Sequence, residues 1–69
     1  MYVRQPVIRP AIDKISTEFR ELPGLRLTVR QAARLCALEP NFCRAVLDGL
    51  VDAKFLRVQR DGSYARALR

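Results

Sequence analysis

Between residues 10 and 22 the apolar positions Ile12, Ile15, Phe19 and Leu22 recur at steps of three, four and three, with Asp13, Lys14, Glu18, Arg20 and Glu21 largely off that stripe. Such spacing is one face of an α-helix. Pro10 suits its first turn, where no N–H partner is needed, and Pro23-Gly24 ends it. Residues 1–9 precede it as a short extended arm, because Pro6 and Pro10 each turn the residue before them away from helix.

Leu25, Arg26 and Leu27 then read as a short extended piece. Thr28 followed by Gln31 is a capping box, and Ala32, Ala33, Leu35, Cys36 and Leu38 continue as a second helix of about nine or ten residues. Ala33 is small enough to let another helix approach closely. Pro40 opens a third helix, with Glu39 as its cap. Cys43, Val46, Leu47, Leu50 and Val51 form its inward stripe, whereas Asn41, Arg44, Ala45 and Asp48 lie mainly outward. Only Ala37, Leu38 and Glu39 separate these two helices, so they form a tight helix-turn-helix unit. The third helix stops near Ala53-Lys54. Residues 55–59 and 64–68 are strands of a hairpin, joined at a turn whose strongest signal is Asp61-Gly62. Tyr64 is expected to pack across that hairpin.

Composition narrows the function. At 69 residues the chain holds one small domain, which buries only about 60% of its unfolded surface, so a second copy or a partner can add stability. The 49% of apolar residues is enough for a core. There is no His, only two Cys and no acidic cluster, so zinc or iron ligation is not expected. The usual imidazole base and the Gly-rich phosphate motifs are also missing. The expectation is a non-enzyme with no cofactor and no small-molecule ligand. Cys36 and Cys43 fall at apolar helical positions, where free cysteine acts as a small hydrophobe; a reducing, cytoplasmic compartment follows. MYVRQPVIRP contains no apolar run of the signal-peptide kind, and no stretch approaches the roughly 20 apolar residues of a membrane helix.

The formal charge of +6 is unevenly spread. Residues 23–38 carry +3, residues 54–69 carry +4 and residues 1–22 carry +1, but residues 39–53 carry −2. Basic flanks suit phosphate contacts, while an acidic third helix opposes them.

Residues 25–68, which include LTVRQAARLCALEPNFCRAVLDGLVDAKFLRVQRDGSYARAL, resemble a bacterial winged helix-turn-helix DNA-binding domain. The fold expected from pattern and resemblance together is mainly α with a small β-hairpin wing, in the order helix, short strand, helix, helix, hairpin. It comprises the arm 1–9 and a single domain 10–69. Ala33 stands where the family has its small residue of helix two, Leu38 at the buried turn position and Cys43 at the inward position of helix three. Ala37 and Lys54 stand where such domains commonly have Gly. If the backbone there is left-handed, each costs about 1 kcal/mol.

The resemblance implies that helix three enters the DNA major groove and the wing meets the backbone. On that basis Asn41 would pair with adenine and Arg44 with guanine, Phe42 would touch a thymine methyl, and Ala45 would sit beside them. Thr28, Arg30, Arg34, Arg57, Arg60 and Arg66 would contact phosphates, helped by the free N–H groups at the start of helix two. Plainer roles stand beside these. Phe42 is equally suited to closing the turn as a core residue, Asn41 to supporting the helix start, and the arginines to solvation.

Two functions follow. One is a small DNA-binding regulator or accessory factor, dimeric because one module has a small footprint. The other is a protein-interaction module without DNA. It would use Phe42, Ala45 and the acidic helix, or the arm, whose Tyr2, Val3, Val7 and Ile8, with Ile12, offer apolar surface to a second subunit.

Overall fold

The computed structural model describes residues 8–67. Its elements are α1 (Ile8–Glu21), β1 (Arg26–Leu27), α2 (Val29–Cys36), α3 (Pro40–Asp52), β2 (Leu56–Val58) and β3 (Tyr64–Arg66). This order matches the winged helix-turn-helix topology. The three helices enclose the core, and a three-stranded antiparallel sheet of order β1-β3-β2 closes one side.

Helix α1 starts at Ile8, two residues earlier than the proline pattern indicates. Pro10 then lies within the first turn, whose N–H groups have no helical acceptor, so its missing donor costs nothing there. Ile8 and Arg9 therefore belong to the helix and not to an arm. The inner face is also rotated from the expected stripe. Ala11, Ile15, Ser16 and Phe19 are buried, while Leu22 is 53% exposed. Small Ala11 and Ser16 face the interior, and Ile12, only partly buried, is left on the flank.

Helix α2 begins at the expected capping box. Thr28 Oγ1 accepts from the Gln31 N–H at 3.2 Å, and Gln31 Oε1 accepts from the Thr28 N–H at 3.0 Å. Ala32, Ala33 and Cys36 are buried, but Leu35 points outward at 49% exposure. The helix is shorter than the apolar run, ending at Cys36, with Leu38 in the turn packed against the core.

The two helix ends share one solution. After α2 the Leu38 N–H donates to the Ala33 carbonyl at 2.8 Å and the Ala37 N–H to Arg34 at 3.4 Å. After α3 the Phe55 N–H donates to Leu50 and the Lys54 N–H to Val51, both at 2.9 Å. These are Schellman caps, each followed by an apolar residue that packs back on the core. Such a cap requires a left-handed residue, and Ala37 (φ 56°) and Lys54 (φ 66°) supply it. Both positions thus carry the strain that a Cβ suffers there. Ala37→Gly and Lys54→Gly are each expected to raise stability by about 1 kcal/mol, the net after the added freedom of the unfolded chain. Denaturant unfolding checks this: an unchanged or lower midpoint at both sites would show that the caps are not left-handed in solution.

In the sheet, β3 pairs with β1 through Arg26↔Ala65 and Leu27↔Tyr64, and with β2 through Leu56↔Arg66 and Val58↔Tyr64. The hairpin turn is held by Asp61, whose Oδ1 accepts from the Ser63 N–H at 2.9 Å and from its hydroxyl at 2.7 Å. Those hydrogen bonds hold the Asp61 carboxyl below its ordinary pKa. Gly62 supplies the positive φ of 91°.

Candidate functional site

The outward surface of α3 divides into two flanks around Asn41 and Asp52. At 100° per residue, Arg44 and Asp48 fall on the flank toward the sheet, and Phe42, Ala45, Gly49 and Ala53 on the flank toward α1. Glu39 starts this helix, its Oε1 accepting from the Phe42 N–H at 2.9 Å. Pro40 follows as the first helical residue. The expected inward residues are in place: Cys43, Val46, Leu47 and Leu50 are buried, with Val51 packed beside them.

On the sheet flank, Tyr64 of β3 is buried and its hydroxyl donates to Asp48 Oδ1 at 2.6 Å. Burial is the main cause that raises the phenol pKa, followed by the Asp48 carboxylate; the nearby Arg44 guanidinium acts in the opposite sense. A raised folded pKa means stability that is full below the unfolded phenol's pKa and lost as pH rises through the folded one. Tyr64→Phe is expected to cost about 1–2 kcal/mol at neutral pH and to flatten the alkaline end of the stability profile. A variant as stable as the parent at neutral pH would remove this hydrogen bond from the account.

The expected phosphate-binding residues are placed unequally. Arg30 and Arg34 on α2, and Arg57 and Arg60 on the hairpin, have exposed side chains. Thr28 is half-buried and its hydroxyl oxygen is occupied in the capping box. Arg66 is half-buried, and its guanidinium lies 4.4 Å from the centre of the Phe55 ring, with Arg20 of α1 at 5.6 Å. These stacked cations tie α1 to the hairpin.

Of the expected base-contacting residues, Asn41, Arg44 and Ala45 are exposed, whereas Phe42 is half-buried and packs against the core. Phe42 and Ala45 also line an apolar groove of about 420 Å³ between α1 and α3, together with Ile8, Ile12, Gly49 and Ala53. Two residues expected to meet bases thus share a groove with two expected to meet a partner. The other expected partner contacts, Tyr2, Val3 and Val7, lie outside the described residues.

The Tyr64–Asp48 bond and the groove have weak signatures in sequence. The bond joins positions 16 apart, beyond any local pattern. The groove does leave a trace, since Ala45, Gly49 and Ala53 repeat at four-residue spacing beside Phe42.

Cys36 and Cys43 are free and buried, and burial raises both thiol pKa values. Among the described residues no group of three or more His, Cys, Asp or Glu side chains converges on a metal position, and no helix is long and apolar enough to cross a membrane. No protein-family model, curated protein or solved structure matches the chain, so its functional reading rests on the fold and the chemistry of these surfaces.

Proposed function

We propose that this domain binds duplex DNA, presenting the first half of α3 to the major groove and the β2–β3 hairpin to the backbone. The observation that carries the reading is the exposure of Asn41 and Arg44 on the second helix of a tight helix-turn-helix, with exposed arginines on both neighbouring elements. Asn, with a donor and an acceptor, and Arg, with paired donors, are side chains that read base edges, and Arg30, Arg34, Arg57 and Arg60 have exposed side chains that can reach phosphates. The acidity of α3 opposes DNA entry: its Glu39 and Asp48 carboxylates are held within the fold by the Phe42 N–H and the Tyr64 hydroxyl but keep their charge, and the arginines of α2 and the hairpin have to outweigh it. Arg66 and Thr28 are engaged within the fold and contribute mainly by holding the hairpin and the start of α2. In this role the protein serves as a transcriptional regulator or accessory factor in the cytoplasm, with two copies pairing on DNA to enlarge the footprint.

Fluorescence anisotropy with mixed-sequence duplexes, titrated from about 50 to 300 mM salt, tests the reading directly. Micromolar binding that weakens steeply with salt supports it. Absence of binding at the lowest salt refutes it, and the positive charge then serves solubility.

The apolar groove favours the second reading, a protein-interaction module. Phe42, Ala45 and Ile8 form a surface without hydrogen-bonding side chains, suited to an apolar anchor and not to base edges.

A further inference from the structure

We propose that Asp48 and Tyr64 are positioning residues for Arg44, and that together they hold its guanidinium so that it favours the neutral edge of a guanine over a phosphate. The inference rests on the DNA-binding reading and deepens it, from a surface that meets DNA to the groups that set its sequence preference.

The placement of the three groups comes first. Arg44 and Asp48 lie one turn apart on the sheet flank of α3, a spacing that brings Cβ atoms within about 6 Å. Helical side chains lean toward the N-terminus, so Asp48 leans toward Arg44. Tyr64 fixes that carboxylate from the other side. It is buried in the middle strand of the sheet, paired with Leu27 of β1 and Val58 of β2, and its hydroxyl donates to Asp48 Oδ1 at 2.6 Å. With its proton given to Asp48, the hydroxyl oxygen keeps lone pairs for a donor. The Arg44 guanidinium is close enough to act on that same hydroxyl, while the residue as a whole stays exposed.

Charge supplies the selection. A neutral acceptor would serve the tyrosine hydroxyl as well as a carboxylate does, whereas the charge of Asp48 acts on whatever lies beside it. A guanidinium carries five N–H donors in a rigid fork. One edge turned to Asp48 and Tyr64 leaves another for guanine O6 and N7. A phosphate brought to the same place meets the carboxylate as a like charge, and a base edge does not. Phosphate contacts carry no sequence information, so an Arg44 at liberty to reach them would dilute the preference. Asp48 thus lowers affinity for DNA in general and raises the share of it that depends on sequence.

The experiment uses the full chain and two duplexes, one of mixed sequence and one that the parent enriches from a random pool. Its readout is the ratio of the two dissociation constants, taken at a temperature where circular dichroism shows each chain folded. Asp48→Asn keeps an acceptor for the tyrosine and removes the charge. It is expected to bind the mixed duplex more tightly and yet to lower the ratio about tenfold, within the range of one base contact. Tyr64→Phe keeps the packing and releases the carboxylate, and is expected to lower the ratio without that gain. In an Arg44→Ala chain neither change is expected to move the ratio further, a coupling that a purely structural pin would not produce. Without DNA, 15N relaxation of the Arg44 Nε–Hε is expected to show a restricted group in the parent and a mobile one in both variants. A parent that binds neither duplex removes the DNA reading and the proposal with it. Binding with no enriched duplex, an unchanged ratio in Asp48→Asn, an equal loss in the Arg44→Ala chain, or equal Arg44 mobility in the parent and both variants overturns the proposal and leaves that reading standing.

Discussion

Phe19→Ala is expected to abolish cooperative thermal unfolding at physiological temperature. Phe19 is the largest fully buried side chain, at 0% exposure, and sits on the inner face of α1 against α2 and α3. Removing the ring loses its transfer free energy and leaves a cavity, which together cost about 3–5 kcal/mol. A domain of this size has few kcal/mol to lose, so that loss alone can move the equilibrium to the unfolded chain. Leu47→Ala, on α3 and equally buried, follows at about 2–5 kcal/mol. Circular dichroism melting checks both. If Phe19→Ala melts as the parent does, the burial of Phe19 on the inner face of α1 is wrong. Retention of the parent melt by Leu47→Ala alone would instead displace the register of α3.

Joint replacement of Arg30 and Arg60 by Ala is expected to weaken DNA binding about fiftyfold at 0.1 M salt, equally on unrelated duplexes, because each phosphate contact contributes about 0.9 to the slope of log affinity against log salt. The slope itself falls by about 2. These two residues are chosen because they lie on different elements, α2 and the hairpin, and both side chains are exposed. Arg66, which equally reads as a phosphate ligand from its place in the strand, is the poorer test. It stacks on Phe55, so removing it disturbs the fold and confuses binding with stability. An unchanged salt slope in the Arg30→Ala, Arg60→Ala chain would show that the hairpin and α2 do not touch the backbone together. Loss of binding to one duplex only would make these arginines readers of sequence and not of phosphate.

The sequence showed the fold through local rules that close over a few residues. The Thr28–Gln31 box, Pro40 after Glu39, and Asp61-Gly62 each place a boundary within one turn of chain, and each appears where the pattern puts it. The inward stripe of α3 was equally legible, because Cys43, Val46, Leu47 and Leu50 are apolar and face one side. Helix α1 was less so. A stripe drawn through the large apolar residues selects Ile12 and Leu22, but the packed face uses Ala11 and Ser16. Hydrophobicity marks what gains from burial; it does not mark the small residues that let helices come close.

The candidate surface was legible only as a list of residue types. Whether an arginine is free depends on what lies beside it in space. Phe55 lies beside Arg66 only because the Lys54 cap folds the chain back from α3 into β2. Asp48 counts as an unopposed acid along the chain, and the hairpin alone brings the Tyr64 hydroxyl to it. By itself the sequence determined the order of elements, the N-caps of α2 and α3 and the inward face of α3, since each depends on contacts a turn or two apart. The tertiary structure alone decided how far α1 is rotated, which cations remain exposed and that a groove opens along Ala45, Gly49 and Ala53. Those outcomes are set by side chains meeting across elements, where the shape of the neighbour outweighs the preference of the residue.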